Sequence, residues 1–193
     1  MKISLSFLLF AVSFNCFSQN ADIDLLKNIN VNRNKKLDGT FKLITNHAGT
    51  VSFGTPILMI GTGLILKDST LKHKGYIVGA SLIVSSGIVT VMKFSINRKR
   101  PFETYPFIEK LTSGGSPSFP SGHTSEAFST ATSLSLVYPK WYVITPLFIW
   151  ASAVGYSRMH LGVHYPSDVA AGAFIGAGSA YLCYKVQKWL TKK

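Results

Sequence analysis

Long uncharged apolar runs alternate along the chain with short polar connections, at residues 50–66, 75–92, 127–139, 141–157 and 169–184. A helix that crosses the hydrocarbon of a bilayer needs ~20 mostly apolar residues, because lipid offers no partner to backbone N–H and C=O groups and a helix satisfies them within itself. Each run is therefore expected to be a membrane-crossing helix, with several drawing on flanking residues to reach full length. The third carries the weakest apolar signal, since it starts behind Glu126 and is rich in Ser and Thr. The pattern predicts an all-α transmembrane bundle of five spans.

Ahead of these runs, Lys2 precedes an apolar stretch from Ile3 to Phe17, with the small residues Cys16 and Ser18 spaced for cleavage. This is the pattern of a secretory signal peptide over residues 1–18. Its alternative is an uncleaved first span, which would bring the total to six. Residues 19–48 mix charge with apolar positions such as Leu25, Leu26, Ile29, Phe41 and Leu43, as an interfacial amphipathic segment does. The remainder, 49–190, reads as one helical domain with a short cytoplasmic tail at 191–193, in keeping with a chain of 193 residues.

Composition agrees with a membrane setting: 15% of residues are charged and 47% apolar, against roughly 25% charged in soluble domains. The net charge of +12 admits nucleic acid, anionic lipid or an anionic substrate as partners. Nucleic acid is excluded by distribution, because the basic residues sit in short clusters between uncharged stretches and form no basic face. Lys67, Lys72, Lys74, Lys140, Lys185, Lys188, Lys192 and Lys193 fall in connections that the positive-inside rule assigns to the cytoplasm when the mature amino terminus lies outside. That orientation suits a multi-pass protein of the inner membrane with residues 93–123 and 158–168 facing the periplasm. The first of these segments breaks the rule with Lys93, Arg98, Lys99 and Arg100, and phosphate binding explains charges that orientation does not. Cys16 and Cys183 lie in apolar runs as buried thiols. Gly172 and Gly176, four apart in the last run, are expected to let helix backbones pack closely.

Three polar motifs sit at the outer ends of different spans: Lys93-Phe-Ser-Ile-Asn-Arg-Lys-Arg100-Pro101, Pro120-Ser121-Gly122-His123, and Ser157-Arg158-Met-His-Leu-Gly-Val-His164-Tyr-Pro-Ser-Asp168. Together they supply what phosphoryl transfer requires. Arg100 and Arg158 can grip phosphate oxygens in pairs and Lys93 adds a point charge. Ser121 and Gly122, at a helix start, can aim backbone N–H groups at the anion. Asp168, four residues after His164, can accept the Nδ1 proton and leave Nε2 as the nucleophile, forming a phosphohistidine. His123 is then available to protonate the leaving oxygen and afterwards to activate water. With charge neutralised by side chains, neither metal nor cofactor is expected.

These motifs resemble, in order, the first, second and third motifs of the phosphatidic acid phosphatase type 2 (PAP2) superfamily, and every defining position is matched. The resemblance spans 93–168 and, with the run pattern, implies the membrane-bound branch and a PAP2/haloperoxidase-like helical fold. It implies Lys93, Arg100, Ser121, Gly122 and Arg158 as phosphate ligands, His123 as the acid, and His164 with Asp168 as the nucleophile pair. The implied substrate is a lipid phosphate or diphosphate: an isoprenoid diphosphate, phosphatidylglycerol phosphate, phosphatidate or a phosphorylated outer-membrane lipid. Members of that branch usually have six spans, so five would alter packing around the first. Two other readings stand beside it. One is a vanadium-dependent haloperoxidase-like enzyme, a class that is typically soluble; the other is a non-catalytic lipid-phosphate-binding membrane protein. His160, four residues before His164, suggests a helical two-histidine metal pair, yet no nearby carboxylate or cysteine completes it, which leaves it to the site wall or to packing. His47 and His73 suggest no role, and Trp141, Tyr142, Trp150 and Trp189 suit span ends.

Overall fold

The structure of the protein is a computed structural model that describes residues 21–115 and 117–191. The expected signal peptide at 1–18 lies outside them. A helix, α1, is described over 21–30, and a 3-10 turn at Lys35–Leu37 leads into α2 (Asp38–Ile65). There follow α3 (Ser69–Ile96), the short α4 (Pro101–Thr104), α5 (Gly122–Val137), α6 (Trp141–His160) and α7 (Pro166–Leu190), with no strand among the described residues. Among the described residues three stretches, Lys35–Ile65, Ser69–Thr104 (α3 with α4) and Pro166–Leu190, are long and apolar enough to cross a membrane.

Local chemistry places the helix ends. Asp68 accepts from the N–H groups of Thr70 and Leu71 at 2.9 and 3.0 Å, starting α3. Asn97, at φ 47°, takes the left-handed conformation that ends α3 and turns the chain into the first polar motif. Pro101 and Pro166 stand in the first turns of α4 and α7, where a missing N–H costs nothing. The apolar run expected at 50–66 is the later part of α2. That helix starts at Asp38 because an acidic residue favours its first turn and no proline interrupts residues 38–55. Part of the expected interfacial segment is thus helix continuous with the bundle.

Inside the bundle many buried positions are small or hydroxylated, and large apolar side chains cover the outside. The buried positions of α5 are small or hydroxylated, among them Thr124, Ser125, Ala127 and Ala131, and α3 buries Ser81 and Ser85 beside Ile77, Val78, Leu82 and Val89, whereas Ile57, Leu58, Ile83, Val91, Phe94, Phe174 and Leu182 point outward. Lipid tails are as apolar as Leu, so small residues and hydroxyl contacts hold the helices together instead. Ser81 donates to the Ile77 carbonyl at 2.7 Å, and the Ser85 and Ser125 hydroxyls meet at 2.5 Å between α3 and α5.

α5 lies at the centre, against α2, α3, α6 and α7. Its contact with α7 is backbone to backbone: a Cβ built on Gly176 would lie 2.2 Å from the Ser125 carbonyl oxygen, and one on Gly172 would lie 2.5 Å from that of Ser121. The three polar motifs meet at one end of the bundle. Lys74 and Tyr138, and likewise His73 and Gln187, pair at the other. Replacement of Gly176 by Ala is expected to destabilise the bundle by about 1–3 kcal/mol through overpacking, seen as a lower melting temperature in detergent. Gly178→Ala, which would meet nothing within 4 Å, is expected to melt with the unsubstituted protein.

Candidate active site

The three motifs are brought together by the same local rules that end their helices. After Arg158, α6 closes with the Leu161 N–H on the Ser157 carbonyl and the Val163 N–H on that of Arg158. Gly162 makes the reversal at φ 73°, and a Cβ there would lie 2.2 Å from the Glu109 carbonyl oxygen. His164 is thereby returned alongside Arg158. On the other side, Asp168 is the third residue of α7 and accepts the N–H of Tyr165 at 3.0 Å, as capping carboxylates do.

His164 is buried between two partners of opposite charge. Its Nδ1 lies 3.4 Å from Asp168 Oδ2, and its Nε2 lies 3.4 Å from Arg100 Nη1, at the cavity. Burial pushes the imidazole down to about 3, with Arg100 and Arg158 adding to the effect and Asp168 opposing it. A neutral ring follows at any ordinary pH.

Lys93, Arg100, Ser113, Gly114, Gly115, Gly122, His123, Arg158 and His164 enclose a cavity of about 250 Å³. Three of these side chains are cationic and none is a carboxylate. Arg100 Nη1 donates to the Val163 carbonyl at 2.7 Å, and Arg158 Nη1 donates to Thr45 Oγ1 at 2.7 Å. Arg158 Nη2 reaches the Ser113 carbonyl at 3.3 Å, and Lys93 Nζ donates to that of Pro117. Such a pocket can hold a tetrahedral anion beside an imidazole nitrogen.

Other expected residues stand elsewhere. Ser121 is buried as the residue before α5, with its hydroxyl 2.8 Å from that of Thr124 and its N–H on the Asp168 carbonyl at 3.0 Å. It does not line the cavity, whereas Gly122 does. Arg98, counted from sequence with the phosphate clamp, turns away: the left-handed Asn97 reverses the chain, and Arg98 donates to Asp168 Oδ1 and Asp22 Oδ2, each at 2.7 Å. Lys99 is exposed. His160 is buried, with Nε2 2.8 Å from Asp38 Oδ1 and its ring 4.5 Å from that of Phe41; it packs, and is not in the wall. Among the described residues no three His, Cys, Asp or Glu side chains come together as metal ligands.

Residues that sequence reasoning missed hold the site from behind. Ser118 donates its hydroxyl to Asp168 Oδ2, and Thr45 anchors Arg158. Ser113-Gly-Gly115 forms one wall, and its small residues were the available signal.

A membrane-embedded helical bundle with a cationic cavity, a buried His–Asp pair and a second histidine defines a class of phosphoryl-transfer protein. The sequence profile of the PAP2 superfamily matches residues 74–192, and the chain belongs to that family. Among its relatives, an undecaprenyl-diphosphatase of Sulfolobus acidocaldarius is 30% identical over 86% of this chain and 78% of that protein. A lipid A 4'-phosphatase of Bacteroides thetaiotaomicron is 33% identical over half of this chain, and the match spans 43% of that protein. Among solved structures, Aquifex aeolicus LpxE superposes with a TM-score of 0.75 at 30% identity, covering 86% of this chain and 95% of that one. A Bacillus subtilis PAP2-type phosphatidylglycerolphosphate phosphatase shares the fold, with a TM-score of 0.77 at 24% identity over 97% and 95% of the two chains. The protein is a multi-pass membrane protein.

Thr45→Val keeps the shape of the side chain and removes the acceptor for Arg158. Loss of a charged hydrogen bond is worth about 1.5 kcal/mol, so the inhibition constant for inorganic phosphate is expected to rise roughly tenfold.

Proposed function

We propose that this chain is a metal-independent phosphatase that hydrolyses a lipid phosphate or diphosphate through a phosphohistidine on His164. The observation that carries the reading is the cavity itself: three cations, a glycine at a helix start and two histidines face one volume that no carboxylate lines. Lys93, Arg100, Arg158 and the N–H groups of Gly122 and His123 in the first turn of α5, which Ser121 precedes, hold the phosphate. Their charge stabilises the transferring group as it passes between oxygen and nitrogen.

Asp168 accepts the Nδ1 proton of His164 and keeps the ring turned so that Nε2 meets phosphorus. His164 Nδ1 and Asp168 Oδ2 stand 3.4 Å apart, and catalytic hydrogen bonds tighten in the reacting complex. As the N–P bond forms and the O–P bond breaks, His123 gives its proton to the leaving oxygen. In the second step it takes one from water, the water attacks phosphorus, inorganic phosphate departs and His164 is restored.

The substrate is an isoprenoid diphosphate, phosphatidylglycerol phosphate, phosphatidate or a phosphorylated outer-membrane lipid, in line with relatives named for such molecules. Five crossings by α2, α3, α5, α6 and α7 fit helices that run alternately toward and away from the site. An inner-membrane location with the site facing the periplasm is supported by the charge at the far end, where Lys67, Lys72, Lys74, Lys140, Lys185 and Lys188 gather.

His164→Ala is expected to abolish phosphate release from short-chain phosphatidate or a polyprenyl diphosphate in detergent micelles while inorganic phosphate still binds. Turnover by the unsubstituted protein is expected to persist in excess chelator. Rapid quench with labelled substrate is expected to trap an acid-labile, alkali-stable phosphoenzyme that His123→Ala still forms only with a good leaving group. Strict dependence on a divalent cation would refute the mechanism.

A further inference from the structure

We propose that Arg98, held by Asp22 of α1, is a positioning residue that fixes the Asp168 carboxylate and restrains its basicity, so that α1 is a working part of the catalytic end. The proposal rests on the phosphatase reading above and concerns residues outside the three motifs.

Asp168 is fully buried and bonded through both oxygens. Oδ1 accepts from Arg98 Nη1 at 2.7 Å; Oδ2 accepts from Ser118 Oγ and from the Tyr165 N–H at 3.0 Å, and faces His164. A carboxylate held on both oxygens cannot rotate, so Oδ2 stays aimed at Nδ1. Arg98 is itself confined. Its guanidinium lies 3.8 Å over the Tyr165 ring, Nη1 also donates to Ser167 Oγ at 2.7 Å, and Nη2 donates to Asp22 at 2.7 Å. Asp22, only 7% exposed, also accepts the Ser167 N–H at 2.8 Å and the Ser167 hydroxyl. The far end of α1 is secured by Asn30, whose Nδ2 donates to the carbonyls of His160 at 2.9 Å and Glu109 at 3.1 Å and whose Oδ1 accepts the Glu109 N–H at 2.9 Å. The loop that carries His164 is thus clamped by α1 on both sides.

Charge gives this contact an effect that packing alone lacks. The groups facing His164 are Asp168 from α7, Arg100 from the connection after α3 and Arg158 from α6, with Lys93 of α3 and His123 of α5 across the cavity. Asp168 is the one group among them that favours an imidazolium, and Arg98 shares its charge. Without Arg98, Asp168 would attract a proton to His164 more strongly, and the nucleophile would be lost to protonation at a higher pH. Asp22 keeps the Arg98 fork divided between two carboxylates.

The test is the pH dependence of kcat/KM for short-chain phosphatidate in detergent micelles, with the unsubstituted protein, Arg98→Gln, Arg98→Lys and Asp22→Asn. Titration of the substrate is common to all four, so any displacement between profiles belongs to the enzyme. For Arg98→Gln the acid limb is expected to move up by about one pH unit, with kcat down roughly tenfold and KM within about twofold. Arg98→Lys retains the charge, so its acid limb is expected to return to the unsubstituted position while kcat recovers in part. Asp22→Asn is expected to lower kcat with no upward move. Inorganic phosphate binding reports that each variant is folded, and Arg98→Ala, which also removes the charge and is expected to move the acid limb up in the same way, carries the test if Arg98→Gln does not fold.

A charge-removing variant, Arg98→Gln or Arg98→Ala, whose profile superimposes on that of the unsubstituted protein after scaling would reduce Arg98 to a structural contact and overturn the proposal. A tenfold rise in KM at unchanged pH dependence would do the same by making Arg98 a phosphate ligand. No turnover by the unsubstituted protein would overturn the phosphatase reading first, and this proposal with it.

Discussion

A buried carboxylate cannot persist at a membrane-embedded site unless its charge is met by donors on every side, and Asp168 is the place where this fold satisfies that demand. Its partners come from the end of α3 (Arg98), the loop before α5 (Ser118) and the turn before α7 (Tyr165 and His164). Desolvating such a group without partners would cost several kcal/mol. The demand is met only when these segments have closed on one another, which makes the site a product of the completed bundle. Asp168 also completes the helix start of α7, so one residue serves local helix chemistry and the long-range assembly together.

That closure depends in turn on how near the helices can come. Gly172 and Gly176 let α7 lie against the backbone of α5, which puts the Ser121 N–H on the Asp168 carbonyl and the start of α5 beside His164. Any Cβ at those glycines would separate the second motif from the third. The small-residue packing of the membrane interior and the assembly of the site are therefore one constraint expressed at two depths of the same helix pair.

How far the sequence could be read follows from the range of each interaction. The three motifs were legible because each is short and sits where a proline, a glycine or a capping acid ends a helix. Gly172 and Gly176 were legible from their spacing. The start of α2 was not, because Leu43, Thr45 and His47 carry no apolar pattern strong enough to mark a helix that begins ahead of its apolar run. Arg98 was misplaced because counting charges ignores direction, and the left-handed Asn97 turns it behind the cavity. Asp22, Asn30, Thr45 and Ser118 were out of reach, since each acts on a residue distant in sequence through one side-chain atom, and nothing in their neighbours signals it. His160 belongs with them: its partner Asp38 lies at the other end of the chain.

A rule about partners separates the arginines that face the cavity from those that do not. Arg98 and Arg33 are paired with carboxylates, Asp22 and Asp168 for the first, Asp38 and Glu109 for the second. Arg158 is held instead by a hydroxyl and a carbonyl, and an Arg100 amino group by the carbonyl of Val163. Neutral acceptors fix a guanidinium in direction and leave its charge for an incoming anion. Carboxylates fix it and spend that charge. In a water-poor site the difference is large, because an unneutralised cation there acts on a phosphate without the screening that solvent would impose. Arg158 therefore presents its charge to the cavity from neutral acceptors, Arg98 spends its own on Asp168 and Asp22 behind His164, and the His164–Asp168 pair lies between the two.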